Sequence, residues 1–244
     1  MNYKAVLQYD GTRYRGWQTQ GNTDNTIQGK LETLLTKMAG EPVEVNGSGR
    51  TDAGVHAAGQ VIGFRCKTKE SPEEICRYMN EYLPEDIAVL TVEEAAPRFH
   101  ARLNAVRKTY VYRIWNAPVR NVFRRRFTTW IQKPLDLDAM EQAATLLCGT
   151  HDYRAFCSLK KFKKSTVRTI EKIEIGKMGQ EIRISYTGDG FLYHMVRILT
   201  GTLVEVGLGL RKPEEMTEIL EGQDRTKAGR LMPPEGLTLE SVEY

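Results

Sequence analysis

The sequence predicts an α+β protein built from two ferredoxin-like α/β halves, with mostly antiparallel sheets flanking a central active-site cleft. Three observations predict it. The first hundred residues read strand, helix, strand, strand, helix, strand, the split order of a ferredoxin-like unit. The remainder runs through a decorated copy of that order, without an aligned sequence repeat. A length of 244 residues, with 41% apolar and 27% charged residues, suits a chain that buries an ordinary core without staples. The halves are expected at residues 1–105 and 106–244, with their boundary in the stretch from Pro97 to Val106.

Each element has a local cause. Tyr3, Ala5, Leu7 and Tyr9 alternate with Lys4, Val6 and Gln8, which predicts a strand ending at the Asp10-Gly11 turn. Ile27, Leu31, Leu34, Leu35 and Met38 recur at helical spacing, and Gly40 and Pro42 close that helix. Strands follow at about 43–46 and 60–65. Ser71-Pro72-Glu73-Glu74 supplies an N-cap, a first-turn proline and a capping-box glutamate for a helix that buries Ile75, Met79 and Leu83. Pro84 stops it, and 87–92 returns as a strand.

In the second half, strands are expected at 109–115 and 128–132, then a helix over 138–147 ending at Gly149. Segments 167–175 and 181–186 form a hairpin around Lys177-Met178-Gly179. A helix over 191–206 carries Leu192, Met195, Val196, Leu199, Leu203 and Val206 as its buried stripe, which leaves Arg197 off the stripe and expected at the surface. A short helix over 213–220 and a strand near 237–242 complete the chain.

Several function classes fall away at this level. The most apolar long stretch, Ile198 to Leu210, has 13 residues interrupted by Thr200, Gly201, Thr202, Glu205, Gly207 and Gly209; a membrane helix needs about 20. The N-terminal residues lack an apolar export region, so the cytosol is the expected compartment. Cys66, Cys76, Cys148 and Cys157 contain no C-x-x-C pair and the four histidines stand more than 40 residues apart, so no metal site is expected.

Charge is unevenly placed. The net charge is +4, but Arg98 to Lys172 holds 17 basic and 5 acidic residues, leaving 18 basic and 26 acidic elsewhere. Aromatics interleave with the cations in Arg98-Phe99-His100-Ala101-Arg102, in 121–127 and in Lys160-Lys161-Phe162-Lys163-Lys164. Cations mixed with stackable rings suit a nucleic-acid backbone and its bases. A solvated basic face is the plainer alternative.

The segment from Asn46 to Gln60 is the densest in candidate chemistry. A Walker loop needs Lys and Ser or Thr after its last glycine, and Val55-His56 stands there. A dinucleotide fingerprint needs a third glycine where Asp52 stands, followed by a helix where the pattern reads strand. What remains is a flexible connection with one carboxylate, Asp52, two residues from one guanidinium, Arg50. A neighbouring cation keeps an aspartate ionised and ready as a nucleophile or base. An aspartate that merely shapes a turn is the competing reading, and no second well-placed acid of the kind a glycosidase needs is evident.

Gly49-Arg50-Thr51-Asp52-Ala53-Gly54-Val55-His56-Ala57 resembles the signature of the tRNA pseudouridine synthase A family, which isomerises uridines 38 to 40 of the tRNA anticodon stem and loop. Other segments agree in order: Tyr9-Asp10-Gly11-Thr12, Gly16-Trp17-Gln18, Thr26-Ile27-Gln28, Phe99-His100-Ala101-Arg102, Lys108-Thr109-Tyr110-Val111-Tyr112, Phe191 to Arg197 and Pro233-Pro234-Glu235-Gly236-Leu237. The resemblance implies that Asp52 is the catalytic aspartate, that Arg50 helps extrude the target nucleotide, and that Arg197 pairs with the aspartate. It implies that Tyr110 stacks on the flipped base and that Leu237 walls the uracil. The alternation of Tyr110 with Tyr112 and Ile114 would by itself make Tyr110 core. Chemistry open to Asp52 is attack on base C6, attack on sugar C1′, or proton abstraction from C2′.

The basic middle then acquires a use. Phe99, His100, Arg102, Arg124, Arg125, Arg126, Lys160, Lys161, Lys163, Lys164 and Arg168 are expected to bind the tRNA. His56 and His194 are expected to be structural. The resemblance implies a homodimer with tRNA lying across both subunits, and an isomerisation that calls for no cofactor. A catalytically silent RNA-binding protein on the same fold is the rival; it would have no need for both Asp52 and Arg197.

Overall fold

Tyr3, Ala5, Leu7 and Tyr9 are buried along one face of β1 (Asn2–Tyr9), and pairing along both of its edges makes it an inner strand of a sheet. The computed structural model describes all residues 1–244, and the chain divides into two units, Met1–Val106 with Thr238–Tyr244, and Arg107–Leu237. The elements are mixed α and β throughout, with mostly antiparallel pairing in each unit.

In the first unit, β1 is followed by α1 (Ile27–Ala39), β2 (Val45–Gly47), β3 (His56–Arg65), α2 (Pro72–Tyr82) and β4 (Ile87–Glu94). The strand order is β4-β1-β3-β2, all antiparallel, which is the ferredoxin-like arrangement the pattern predicted. Register places Ala5 opposite Ile62 and Tyr3 opposite Phe64, whose rings stack at 5.4 Å. Thr26 caps α1 by accepting from Gly29 N–H, and Gly40 closes it at φ 70°. Ile27, Leu31, Leu34 and Leu35 are buried as the spacing required, while Met38 is only half-buried. Helix α2 has the capping box read from Ser71 and Glu74, with Ile75 and Met79 buried and Leu83 half-buried at its C-cap.

Besides β1, β3 is long enough to serve two further partners along its other edge. Its later residues pair with β2, and His56 and Ala57 at its start pair in parallel with Thr238 and Leu239 of the chain's last strand, which runs over Leu237–Glu243. The C-terminus is fixed beside it: Val106 N–H donates to Glu243 O (2.9 Å) and Tyr244 Oη to Ala101 O (2.7 Å).

The second unit contains β5 (Arg107–Asn116), β6 (Thr129–Ile131), α3 (Leu137–Leu146), β7 (Gly149–Asp152), β8 (Val167–Met178), β9 (Glu181–Gly188), α4 (Met195–Gly207) and α5 (Glu215–Gly222). The last strand, counted in order, is β10. The path β5-β9-β8 repeats β1-β3-β2 of the first unit, and β7 extends it. The β8–β9 hairpin turns at Gly179, whose φ of 61° suits glycine.

Three expectations on this unit need correction. Strand β7 was not foreseen, because four residues with two half-buried polar side chains carry no alternation; the strand exists through its pairing with β8. Helix α4 begins at Met195, not Phe191, because His194 takes φ 65° and breaks the helical run, which leaves Leu192 outside the helix and only half-buried. Arg197 is buried at 8% exposure. Its face of α4 is covered by the returning chain: a side chain at Gly201 would collide with Arg230 O, and one at Gly229 would sit 2.6 Å from Thr202 N. The apolar stripe alone could not reveal that second cover.

Candidate active site

The loop from Ser48 to Val55 is held from behind by residues of the 9–17 segment. Trp17 N–H donates to Thr51 O (3.0 Å), and Tyr9 Oη shares a hydrogen bond with Thr51 Oγ1 (2.8 Å). Ser48 N–H donates to Val61 O (2.8 Å) and Ser48 Oγ to Gln60 Oε1 (2.7 Å), while Gln60 Nε2 reaches Gly49 O (2.9 Å). The connection is rich in glycine yet pinned at both ends and in its middle.

Glycines in the platform permit this closeness. A Cβ on Gly11 would collide with Val55 O, and one on Gly16 would lie 2.9 Å from Thr51 O and 3.3 Å from the Asp52 carbonyl carbon. Gly16 also adopts φ 95°, which L side chains resist. A Cβ on Gly47 would meet the Trp17 ring at 2.6 Å. Gly16 O and Trp17 O accept from Ile27 N–H (3.2 Å) and Gln28 N–H (3.0 Å), so the start of α1 fixes the platform. These contacts explain why Asp10-Gly11, Gly16-Trp17 and Thr26-Ile27-Gln28 stood out in the sequence: they brace the loop. Their supporting role was not read from the sequence, although the glycines within those motifs were a visible signal.

Asp52 opens a turn on this platform. Its carbonyl accepts from Val55 N–H (3.1 Å), and Gly54 takes the third turn position at φ 80°, the pattern of a type II turn. The turn is thus made by main chain and Gly54, and the Asp52 side chain is not what closes it. Asp52 is partly exposed and Arg50 exposed on the same loop. His56 lies buried beneath, where its Nδ1 accepts from Gly11 N–H (3.1 Å).

Tyr9 reports on this packing. Burial pushes its phenol up to about 12, partly opposed by the bonds to Thr51 and Gln60. Since its folded value lies above the unfolded value near 10, the neutral phenol supports folding fully below pH 10, and that support is lost between pH 10 and about 12. Tyr9→Phe is expected to cost about 1 kcal/mol at pH 7 through the lost hydrogen bonds. It should also flatten the fall in stability above pH 10, as measured by urea unfolding across pH.

Tyr110, Arg197 and Leu237 belong to the second unit and share a support. Arg197 Nε donates to Met232 O (2.7 Å) while Met232 N–H donates to Arg197 O (3.3 Å). Immediately downstream, Pro233 O accepts from Tyr112 Oη (2.7 Å), and a Cβ on Gly236 would touch the Tyr112 ring at 2.6 Å. Tyr112 therefore holds the segment that ends in Leu237, and Arg197 holds its start. Tyr110 lies two residues from Tyr112 on β5, buried, with its ring edge-on to Phe191 at 5.3 Å. Burial keeps the Tyr112 and Tyr186 phenols neutral far above their usual range.

The expected RNA-binding residues differ in how engaged they are. Phe99 packs on the Tyr244 ring at 5.2 Å, and His100 Nδ1 accepts from Arg102 N–H (3.1 Å). Arg124 is paired with Glu181 (2.5 Å), and Arg168 donates to Ser165 O and Val167 O. Arg102, Arg125, Arg126, Lys160, Lys161, Lys163 and Lys164 are exposed. No helix is long and apolar enough to cross a membrane. The four cysteines are free thiols, and burial raises Cys66, Cys76 and Cys148 away from the reactive thiolate.

A braced carboxylate loop thus stands on a split β-α-β-β-α-β unit, and the second unit repeats the β5-β9-β8 part of that order with additions. The family model for tRNA pseudouridine synthase matches residues 5–104 and 143–244, and the chain belongs to that family of isomerases. It is 48% identical over 243 residues to tRNA pseudouridine synthase A of Bacillus sp. (strain KSM-64), covering 100% of this chain and 99% of that protein. It is 47% identical over 241 residues to the protein of the same name from Brevibacillus brevis, covering 99% and 98%. It is 44% identical over 243 residues to tRNA pseudouridine synthase A 2 of Bacillus anthracis, covering 100% and 99%.

Proposed function

We propose that this member of the family converts uridine to pseudouridine at positions 38, 39 and 40 of the tRNA anticodon stem and loop, with Asp52 as the reacting carboxylate. The observation that carries the reading is the Gly49 to Ala57 loop, which offers Asp52 from a main-chain turn braced by Gly11, Gly16 and Trp17. A catalytic group must be held in a narrow range of positions, and such bracing serves that need.

The reaction balances within the substrate. The C1′–N1 bond breaks, the uracil rotates, a C1′–C5 bond forms, C5 gives up its proton and N1 gains one. No oxidant, reductant or leaving group enters, so no cofactor is proposed. A base in a stem must first leave its stack at a cost of a few kcal/mol. Arg50, exposed on the loop, fills the space the nucleotide leaves and meets phosphate. Tyr110 stacks on the extruded base, Leu237 walls the uracil, and Arg197 supplies the cation that keeps the reacting carboxylate ionised. The exposed arginines and lysines of the basic middle hold the tRNA backbone. The working form is a homodimer in the cytosol.

The test is carbodiimide mapping of unmodified tRNA transcripts after incubation with the protein. New primer-extension stops are expected at 38, 39 or 40 in transcripts with uridine there. Stops confined to other positions, or none, contradict the site assignment.

A further inference from the structure

The loop joining β5 to β6 is constructed as a holder for an apolar tip. Two indoles fix its base: Trp115 Nε1–H donates to Val119 O (3.0 Å) and Trp130 Nε1–H to Ala117 O (2.8 Å). The Arg120 guanidinium lies 4.5 Å from the Trp130 ring centre. Near the tip, Asn121 Oδ1 accepts from the N–H groups of Phe123 (3.1 Å) and Arg124 (3.3 Å), and Phe127 N–H donates to Arg124 O (2.9 Å). This scaffold presents Val119 at 75%, Val122 at 58% and Phe123 at 91% exposure. An open ring beside two exposed aliphatic side chains on a loop this well bonded is a candidate contact surface.

Charge decides which partner. Residues 117–128 contain four arginines and no acidic residue. Arg124 pairs with Glu181, which also takes Arg183; Arg125 Nη1 donates to Val122 O (2.8 Å), and Arg125 and Arg126 are both exposed close in sequence to Phe123. Two such tips meeting each other on a two-fold axis would set arginines against the same arginines, an unfavourable pairing. An RNA strand answers both features, with a base for the ring and phosphates for the cations.

We propose that this loop is an RNA-docking element in which Phe123 stacks on an unpaired base of the bound tRNA while Arg125 and Arg126 meet the flanking phosphates. It rests on the tRNA substrate proposed above, and adds the aromatic that the basic cluster alone did not assign. Stacking releases no counterions, so the contribution of Phe123 is independent of salt, whereas that of Arg125 is not.

The test uses the full chain and an unmodified tRNA transcript, with binding measured over a range of salt. Phe123→Ala is expected to weaken binding about 10-fold at low and high salt alike. Phe123→Trp should restore it to within about 3-fold, since indole stacks as well. Arg125→Ala should reduce the slope of log K against log salt by about 1. Sedimentation of each variant should match the wild type. Unchanged affinity in Phe123→Ala, with a wild type that makes pseudouridine, overturns the docking element and leaves the synthase standing. A wild type that makes no pseudouridine sinks the synthase reading itself. Loss of assembly in Phe123→Ala, with an affinity loss reproduced by diluting the wild type to the same assembly state, assigns the tip to a second copy and also overturns the proposal.

Discussion

Asp52→Asn is expected to abolish pseudouridine formation, by about 10⁴-fold or more in single-turnover rate, with tRNA affinity and thermal midpoint near those of the wild type. The asparagine keeps the size of the side chain and leaves the turn intact, because the turn is made by Asp52 O, Val55 N–H and Gly54 at φ 80°. The substitution removes the charge, and with it the ability to attack or to accept a proton. Rapid-quench measurement with enzyme in excess over tRNA isolates that step from product release. A variant within about 10-fold of the wild type would show that Asp52 shapes the loop and that the chemistry resides elsewhere.

The second large effect falls on a residue with no side chain. Gly16→Ala is expected to lower stability by about 1–3 kcal/mol, because φ 95° strains an L residue. Its activity should fall by about 10²-fold, a loss of the size that misplacing a catalytic group by about 1 Å produces. The new Cβ has to displace Thr51 O, Ala53 N or the Asp52 carbonyl carbon, which lie 2.9, 3.2 and 3.3 Å from its ideal position. The strand beneath is not involved, so the loop moves before the sheet does. Denaturant unfolding and kcat on the same preparation separate the two losses. A folded Gly16→Ala protein with wild-type kcat would mean that the platform does not set the position of Asp52.

Local rules carried the ferredoxin-like order of the first unit. Tyr3 to Tyr9 alternates with period two, and Ser71 and Glu74 cap α2 by the reciprocal bonds their spacing allows. What eluded the sequence depends on distant chain. β7 is a strand only because β8 lies alongside, and His194, at φ 65°, sets the start of α4 within an apolar pattern that runs across it. Arg197 looked like a surface residue because its burial comes from residues 229–232 crossing Gly201 and Thr202, which no window around position 197 contains. The return of Thr238–Tyr244 to the first unit is likewise long-range, through parallel pairing with His56 and Ala57.

The candidate site was legible as motifs before it was legible as geometry. The Gly49 to Ala57 signature named Asp52 and Arg50, while Tyr9, Gly16, Trp17 and Gln60 gained a purpose only when their bonds to the loop were seen. The basic cluster of 121–127 was plain from composition. That Arg124 is tied to Glu181 while Phe123 faces water is a fact of the folded loop.

Tritium release from unmodified tRNA transcripts labelled at uridine C5 tests the central claim most directly, since isomerisation must replace that hydrogen when C5 becomes the glycosidic carbon. Wild-type protein is expected to release tritium matching the number of target uridines, while Asp52→Ala binds the same tRNA and releases none. Release by Asp52→Ala at the wild-type rate would remove Asp52 from the chemistry, and no release by either protein, despite salt-sensitive binding, would contradict the isomerase account.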